Sequence, residues 1–432
     1  MVTAVETKSP RRFLIAVFGS RGNVFPLLAL GRALRQRGHH VVFATTERYR
    51  DAVTNAGLDY RVLRPDPLPP LGETLKDPSK GDSESGLRGI VFPRVEETYR
   101  DLLSAGAEVD VLIFPMFIFP GPLAAERLGV PWVEVHFTPG TLNSIYDPPY
   151  LPPVPWLYPL QRATSLVPRL FNPIARKAVR SWHQPLYDLR AREGFSVDMR
   201  TPLLGGMRSP WLTLGLFSPL LGTPQKDWPR PNVVTGFPFY DEDEGAGSLE
   251  VGRFLDEGEP PILAALGSIA AEDRHKFFSE TVTAAQQLGR RLILIAGPDA
   301  DWLLGKELPA SVLVAAYAPY SQVFPRCCAL IVSGSIGPLS HALRSGRPLL
   351  IVPAASKADQ PDNAIRVTRL SVARWLMLDK FDASRAVTEL GLLLGEESYR
   401  GNALRVARVI LAEDGLAAAC ERLEDSVGIW LS

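Results

Sequence analysis

The chain has 432 residues, of which 46% are hydrophobic and 22% charged, which predicts two or three folded domains and excludes a short peptide or a low-complexity protein. Its 47 basic and 47 acidic side chains give zero net charge, which argues against binding nucleic acid or an anionic membrane by bulk charge, so any anion site must be local. The 3 Cys and 6 His argue against a disulfide framework and a metal site. No long unbroken apolar run is present, which argues against an integral membrane segment, so a cytoplasmic protein is expected.

Short apolar runs alternate with segments of helical spacing through the first half of the chain. Residues 13–18 (FLIAVF) predict a strand that ends at the turn 19–22 (GSRG), and residues 26–35 predict the helix that follows. The same patterns predict further strands at residues 41–44, 60–63, 111–114 and 132–136 and helices at 51–56 and 122–128. Regular alternation of strand and helix indicates a parallel, doubly wound α/β sheet.

A proline-rich stretch interrupts this alternation at residues 146–159 (YDPPYLPPVPWLYP). Proline fixes φ and lacks an N–H, so the stretch is predicted to be a long loop rather than a helix or a central strand. Its aromatic side chains, which include Tyr146 and Trp156, either line an apolar cavity or pack over the edge of the sheet. The sequence leaves both interpretations open.

A second α/β alternation occupies the other half of the chain. It predicts strands at residues 262–266, 292–296, 312–315, 329–332 and 349–352 and helices at 274–288, 338–345 and 361–370. Between the halves, residues 223–247 mix Pro, Gly and acidic side chains, which is typical of a surface linker. Ligands of open α/β sheets bind at the carboxyl ends of the strands, so a site is expected in the cleft where two such sheets face each other.

Two glycine-containing turns are predicted at that cleft. The turn 19–22 follows the first strand, and the turn 333–338 (SGSIGP) follows the strand at 329–332 and precedes a helix that Pro338 is expected to open. Glycine allows close approach of the backbone, and the free N–H groups of a helix N-terminus favour an anion such as a diphosphate. Neither turn alone identifies the ligand.

Four segments carry a family resemblance. They are GSRGNVFPLLALGRALRQRGHHVVFAT (19–45), YAPYSQVFPRC (317–327), SGSIGPLSHALRSGRPLLIVP (333–353) and DQPDNAIRV (359–367). Together they resemble the GT-B nucleotide-sugar glycosyltransferases of family 1, in the branch that contains sterol glucosyltransferases and the bacterial macrolide and glycopeptide antibiotic glycosyltransferases. The resemblance implies the GT-B fold, in which two Rossmann-like, doubly wound domains face a cleft.

The resemblance also implies how the chain is divided and what it does. Residues 1–222 would bind the acceptor and residues 251–408 the nucleotide sugar, with a linker at 223–250 and a last helix at 409–432 that crosses back to the first domain. The implied reaction is inverting transfer of a sugar from a UDP- or TDP-sugar to a hydrophobic small-molecule aglycone. The nucleotide sugar is a co-substrate, and no cofactor is expected.

Carried over by position, the resemblance assigns a donor site. Tyr317 would stack on the nucleobase, whereas Asp359 and Gln360 would hydrogen-bond the sugar hydroxyls. The diphosphate would contact Ser268 and the backbone of the 333–337 turn. The expected donor-binding residues are Gly22, Ser268, Tyr317, Ser333, Gly334, Ser335, Gly337, Asp359 and Gln360, and the expected acceptor-pocket residues are Phe25, Tyr146 and Trp156.

Several positions depart from the family's motifs. Asn23 and Phe25 occupy the positions of the Asp or His that serves as or supports the general base, and neither accepts a proton at neutral pH. Ser333 stands where the family has a His that contacts the diphosphate, and Pro338 replaces a Thr. Loss of a general base costs roughly 10² to 10⁴ in rate.

These departures leave more than one function open. An enzyme would need an acidic acceptor such as a phenol, or a substitute base such as His136, which follows Glu134 on a strand and is expected to face the cleft; a structural histidine is the alternative. A pseudo-glycosyltransferase would bind a hydrophobic small molecule or a partner enzyme without transferring sugar. A third alternative is another reaction on a nucleotide sugar, such as epimerisation.

Overall fold

The computed structural model describes residues 9–66, 87–152, 154–196, 202–205, 208–241, 249–266, 271–297, 300–354 and 359–430. Within these residues two parallel sheets form, one in each half of the chain. The first contains β1 (Arg12–Ala16), β2 (His40–Thr45), β3 (Asp59–Val62), β4 (Val111–Pro115), β5 (Trp132–His136), β6 (Leu212–Gly215) and β7 (Asn232–Val234). The second contains β8 (Ile262–Ala265), β9 (Leu292–Ile295), β10 (Val312–Ala315), β11 (Ala329–Val332), β12 (Leu349–Ile351) and β13 (Ala373–Trp375).

The strand orders are β3-β2-β1-β4-β5-β6-β7 and β10-β9-β8-β11-β12-β13, with parallel pairing between neighbours. In each sheet the chain begins in the middle and reverses its direction of winding once. This is the doubly wound arrangement predicted from the sequence. The reversals lie between β1 and β4 and between β8 and β11, which are the switch points where sheets of this kind bind ligands.

Helices connect the strands in both halves. In the first half they are α1 (Arg21–Gln36), α2 (Arg50–Asn55), α3 (Val95–Ala105), α4 (Gly121–Leu128), α5 (Leu157–Ala163), α6 (Leu166–Val179) and α7 (Gln184–Arg192). In the second half they are α8 (Leu249–Asp256), α9 (Ala271–Gln287), α10 (Ala300–Leu304), α11 (Tyr320–Val323), α12 (Ile336–Arg344), α13 (Asp359–Thr368), α14 (Ala383–Gly395), α15 (Glu397–Ala412) and α16 (Gly415–Trp430).

The starts of several helices differ from the sequence prediction, among them those of α1, α5 and α12. α1 begins at Arg21, so the second half of the predicted turn 19–22 belongs to the helix and Ser20 is its N-cap. α5 begins at Leu157, inside the stretch predicted to be a loop, and α12 begins at Ile336 rather than Pro338. Pro159 and Pro338 are each the third residue of their helix, where the N–H has no partner within the helix, so proline costs no hydrogen bond there.

Each sheet lies between two hydrophobic clusters because side chains alternate between its faces. In β1, for example, Phe13 belongs to one cluster and Leu14 to the other. One cluster of the second half, which contains Val332, also includes Phe217 and Trp228 of the first half. The hydrophobic core is therefore continuous across the two halves.

Two contacts bear on the domain boundaries, which stay predictions. β7 lies within the segment 223–250 that was expected to be a linker, and it forms the edge of the first sheet. At the other end of the chain, α16 packs on α1, where Arg37 donates two hydrogen bonds of 2.7 and 2.9 Å to the carboxylate of Glu424. The chain therefore returns to the first half after the second sheet.

Candidate functional site

The N-termini of α1 and α12 meet at the switch points of the two sheets. α1 follows β1 and α12 follows β11, so both helices begin at the carboxyl ends of central strands. A Cβ atom on Gly337 would lie 3.2 Å from Cα of Gly22, and one on Gly22 would lie 3.7 Å from N of Gly337. A Cβ atom at position 337 would therefore require the two helix ends to shift by a few tenths of an ångström. Two positive helix ends with free N–H groups therefore converge, which favours an anion.

A cation lies at the same place. The exposed Arg21 places its guanidinium carbon 4.6 Å from the ring centroid of Phe25 and 5.4 Å from that of Tyr317. Phe25 lies on α1, whereas Tyr317 lies between β10 and α11, so Arg21 links the two halves. Arg21 lies within the motif 19–45, but no role was predicted for it from the sequence. A cation inside a turn predicted to hold an anion was the signal that could have identified it.

The turn that begins at Ser333 is held by its own hydroxyls and by Gln360. Ser333 Oγ donates to Ser335 Oγ at 3.2 Å, and Gln360 Nε2 donates to the same oxygen at 2.8 Å. Gln360 Oε1 accepts a hydrogen bond of 3.0 Å from the N–H of Ala354, and the residue is only 4% exposed. Both ends of the Gln360 amide are therefore engaged within the protein, and Asp359 is the more accessible of the two residues expected to bind sugar hydroxyls.

The same turn requires glycine at position 334. Gly334 has a φ of +83°, and a Cβ atom there would lie 2.9 Å from the carbonyl oxygen of Gln360. Its own carbonyl oxygen accepts a hydrogen bond of 3.0 Å from Nδ2 of the fully buried Asn363. Asn363 was not predicted from the sequence as a site residue, although it lies three residues after Gln360 and thus on the same side of a helix.

The expected positions of the general base hold no proton acceptor. Asn23 packs against Gly19, where an added Cβ atom would lie 2.6 Å from Asn23 Nδ2. Phe25 packs edge to face on Tyr49 and Tyr240, with ring centroids 6.2 and 5.4 Å away. Burial raises the pKa of Tyr49, so its phenol stays protonated at neutral pH.

His136 is buried rather than facing a cleft, which corrects the expectation from its strand position. Its Nε2 lies 3.1 Å from Glu134 Oε1, and its Nδ1 lies 2.7 Å from Thr141 Oγ1. Because Thr141 donates its single hydroxyl proton to the carbonyl oxygen of Thr138, His136 Nδ1 must be the donor to Thr141. Arg208, which the sequence analysis missed, donates to Glu134 Oε1 at 2.8 Å.

Burial and neighbouring charges set the protonation of this cluster. Burial lowers the pKa of His136, against the raising effect of Glu134. Burial alone would raise the pKa of Glu134, but its interactions with His136 and Arg208 outweigh burial and lower the pKa to about 2. Glu134 is therefore ionised and paired, and this packing supports the structural interpretation of His136.

The residues expected to line the acceptor pocket do not form one cluster. Tyr146 is 44% exposed and Trp156 is 67% exposed. Among the ring contacts of the described residues, those of Phe25 are made with Tyr49 and Tyr240 and not with Tyr146 or Trp156. Ser268, which was expected to contact the diphosphate, lies outside the described residues.

The proline-rich loop is attached to the second half of the chain. Arg366 of α13 is 2% exposed and donates to Asp362 at 2.7 Å, to Asp147 in the loop, and to the carbonyl oxygen of Leu221 at 3.1 Å. The N–H of Tyr150 in the loop donates to the other oxygen of Asp362 at 2.9 Å. α13, which begins with the expected sugar-binding residues Asp359 and Gln360, thus also holds the proline-rich loop. The sequence predicted a loop that lines a cavity or packs over the sheet edge, and neither interpretation included this attachment.

Across the described ranges, no group of three or more His, Cys, Asp and Glu side chains is placed to hold a metal ion. None of the helices in those ranges combines the length and apolar character needed to span a bilayer. Cys327, Cys328 and Cys420 are free, and burial raises the pKa of all three thiols, so they are protonated at neutral pH.

Two protein families match the chain, one in each half. Residues 13–102 match the glycosyltransferase family 28 N-terminal domain. Residues 282–425 match the erythromycin biosynthesis protein CIII-like C-terminal domain. The first match contains α1, and the second contains α12 and α13. Each matched domain therefore contributes helices to the candidate site.

Relatives align over nearly the whole chain. It is 30% identical over 435 residues to the O-mycaminosyltylonolide 6-deoxyallosyltransferase of Streptomyces fradiae, with 96% of this chain and 97% of that protein covered. It is 29% identical to glycosyltransferase GtfE of Amycolatopsis orientalis, with 96% and 98% covered. It is 26% identical to the sterol 3-beta-glucosyltransferase UGT80A2 of Arabidopsis thaliana, with 95% of this chain and 64% of that protein covered.

Solved structures share the fold over the same length. CalG4, the calicheamicin glycosyltransferase, superposes with a TM-score of 0.73 at 21% identity, covering 97% of this chain and 98% of its own. Glycosyltransferase VinC, solved in complex with dTDP, superposes with a TM-score of 0.68 at 20% identity, covering 96% and 99%. Both sheets and the helices between them are therefore part of one shared two-sheet architecture.

Proposed function

The chain belongs to the GT-B glycosyltransferases of family 1, and we propose that it transfers a sugar from a nucleotide sugar to a hydrophobic small-molecule aglycone with inversion at the anomeric carbon. The observation that carries this proposal is the convergence of Gly22 and Gly337 at two helix N-termini, with Arg21 beside them. Helix N–H groups, helix dipoles and a guanidinium all act favourably on a diphosphate. Full-length similarity to a deoxysugar transferase supports an enzyme.

We assign the nucleotide to the second half of the chain. Tyr317 is 45% exposed, so its ring is accessible to a pyrimidine base. The diphosphate is assigned to the turn from Ser333 to Gly337, and the sugar hydroxyls to Asp359, with Gln360 positioning the turn. A TDP-sugar is the first donor to test, because VinC shares the fold and holds dTDP.

In the proposed reaction the acceptor oxygen attacks the anomeric carbon from the side opposite the diphosphate. The glycosidic C–O bond forms as the C–O bond to the diphosphate breaks, and the diphosphate leaves with the bonding electron pair. The N–H groups at the starts of α1 and α12, together with Arg21, stabilise its growing negative charge. The acceptor releases its proton to water.

The acceptor is proposed to ionise without a strong base from the protein. Asn23 and Phe25 offer no proton acceptor, and His136 is enclosed by its buried partners. A phenol, with a pKa of about 10, ionises far more readily than an alcohol. Phe25 is the partly exposed aromatic ring beside the helix N-terminus, packed on the buried rings of Tyr49 and Tyr240, and its apolar surface suits a flat apolar aglycone.

A second candidate is a binding protein that transfers no sugar. The observation that favours it is the set Asn23, Phe25 and Ser333, which replace a base and a phosphate ligand of the family. Such a protein would still bind a hydrophobic ligand but would not catalyse sugar transfer. The relatives described above are named as transferases, which is why we rank the enzyme first.

Calorimetric titration with TDP tests the diphosphate assignment. In Gly337→Ala the new Cβ atom would press on Gly22 and separate the helix ends, so we expect TDP affinity to fall roughly tenfold or more. Gly391→Ala is the matched control, because a Cβ atom on Gly391 in α14 would meet no atom within 4 Å. Equal TDP affinity in both variants would contradict the assignment.

A product assay then separates the two candidate functions. The native chain is incubated with TDP-sugars and with polycyclic phenols or alcohols, and the glycoside is detected by mass spectrometry. Formation of the phenolic glycoside supports the transferase. TDP binding without product from any acceptor would favour the binding protein, and a chain that binds neither TDP nor UDP would contradict the donor site altogether.

A further inference from the structure

Five large apolar side chains on or next to α5 and α6 are 50% to 72% exposed. They are Trp156, Leu160, Leu166, Leu170 and Ile174, and we call them the α5–α6 face. The last three recur every four residues, which places them on one side of α6, and α5 packs against α6. Soluble proteins rarely expose such a group of side chains unless it meets a partner or a membrane.

The other side of α6 is attached to the protein. Pro168 and Asn172 are buried, and Arg176 donates a hydrogen bond of 3.0 Å to the carbonyl oxygen of Leu204. The exposure of the α5–α6 face therefore does not arise because the helix is detached. It arises because apolar residues occupy the outer positions of a packed amphipathic helix.

The segment that carries this face is rich in positive charge. Residues 148–187 contain Arg162, Arg169, Arg176, Lys177 and Arg180 but no Asp or Glu. All of these cations except Arg176 are exposed. Since the whole chain carries 47 residues of each sign, the segment is a local concentration of positive charge on a neutral protein.

We propose that the α5–α6 face docks the protein on membranes that contain anionic lipids. A helix with exposed Leu, Ile and Trp bordered by Lys and Arg lies flat at the membrane surface. Its apolar side chains enter the upper acyl region, and its cations meet the lipid phosphates. Attachment is peripheral and needs only local charge, which is consistent with the zero net charge of the chain.

A second copy of the chain would bind this face less well than an anionic membrane. A two-fold interface places the same patch of both copies in contact. Such an interface would bring together two copies of a segment that carries Arg162, Lys177 and Arg180 but no carboxylate between residues 148 and 187. An anionic lipid surface has the complementary charge.

Docking would bring the proline-rich loop, which leads directly into α5, to the lipid surface. Hydrophobic acceptors concentrate in lipid, so the loop would lie where the acceptor is most abundant. This role in acceptor supply rests on the proposed function, but the docking itself does not. Its test therefore uses no catalysis, and its failure would leave the transferase assignment unchanged.

Co-sedimentation of the full chain with vesicles tests the proposal. We expect binding to phosphatidylcholine vesicles that contain phosphatidylglycerol, no binding to phosphatidylcholine alone, and release at high salt because ions screen the attraction. In Arg162→Gln/Lys177→Gln/Arg180→Gln the partition coefficient should fall by about a hundredfold. In Leu166→Gln/Leu170→Gln binding should also be lost. Circular dichroism checks that both variants are folded.

Leu304→Gln/Leu411→Gln is the matched control, because both leucines are exposed but lie on α10 and α15. It should bind vesicles like the native chain. The proposal is overturned if the native chain does not bind anionic vesicles, or if the variants of the α5–α6 face bind them normally. It is also overturned if ultracentrifugation shows a dimer that the same variants dissociate, because the face would then be an interface between copies.

Discussion

Replacing Arg366 by Met should weaken the contact between the two halves of the chain. The Arg366 side chain is 1% exposed and hydrogen-bonds the carboxylates of Asp362 and Asp147. Without it, Asp362, whose side chain is 3% exposed, keeps the N–H of Tyr150 as its partner. Removing one member of a buried ion pair costs about 3 to 5 kcal/mol. We therefore expect the free energy of unfolding of Arg366→Met to fall by this amount.

Asp147→Asn perturbs the same network more mildly. Asp147 is 19% exposed, and Arg366 keeps Asp362 and the carbonyl oxygen of Leu221 as partners. A hydrogen bond to a charged group contributes about 1.5 to 3 kcal/mol, so the expected loss lies in that range. Arg369→Met is the matched control. The Arg369 side chain is 35% exposed, lies 3.7 Å from Asp147 and makes an exposed hydrogen bond to Tyr158, and exposed ion pairs contribute about 0 to 1 kcal/mol.

Urea titrations followed by tryptophan fluorescence measure these differences. The double variant Arg366→Met/Asp147→Asn should lose less than the sum of the single variants, by a coupling energy of about 0.5 to 3 kcal/mol. Additive losses would show that Arg366 and Asp147 act independently. A loss for Arg366→Met no larger than that for Arg369→Met would refute the reasoning about burial.

Three further predictions concern the donor site, the acceptor side and the last helix. Arg21→Gln should weaken TDP binding by roughly tenfold to a hundredfold in calorimetry, because it removes a charged donor to phosphate. Asn23→Asp with Phe25→His should raise the product yield from alcohols but barely from phenols. The hydrogen bond from Arg37 lowers the pKa of Glu424 from 4.5 to about 2, so its stabilisation is complete above pH 4.5 and is lost as the pH falls towards 2. Glu424→Gln should flatten the acid decline of the urea midpoint.

The central strands could be predicted because their residues are apolar throughout. β1, β4, β8 and β11 are buried on both faces, so each appears in the sequence as an unbroken apolar run. β6, β7 and β13 were missed because each is short and none is a continuous apolar run: their sequences are LTLG, NVV and ARW. A strand of that length shows no periodicity of its own, and its place depends on the neighbour with which it pairs.

The site could be predicted in part. The glycines at 22, 334 and 337 were identified by residue type and by their place after strands. Their partners could not be, because the close approach of Gly22 to Gly337 depends on how two sheets pack. The same holds for Arg366 and Asp147, which are 219 residues apart in the chain. Whether Gln360 points to a ligand or to Ser335 is likewise decided by tertiary contacts.

Arg21 gives a physical reason why Ser333 need not end diphosphate binding. Ser333 is 1% exposed and donates to Ser335, so its hydroxyl is committed to the turn. The positive charge at the site comes instead from Arg21, which lies on the first half and reaches Tyr317 of the second. A diphosphate held between the two helix N-termini would then have ligands from both halves. Because those ligands come from both halves, donor binding would stabilise the contact between the halves that Gly22 and Gly337 make.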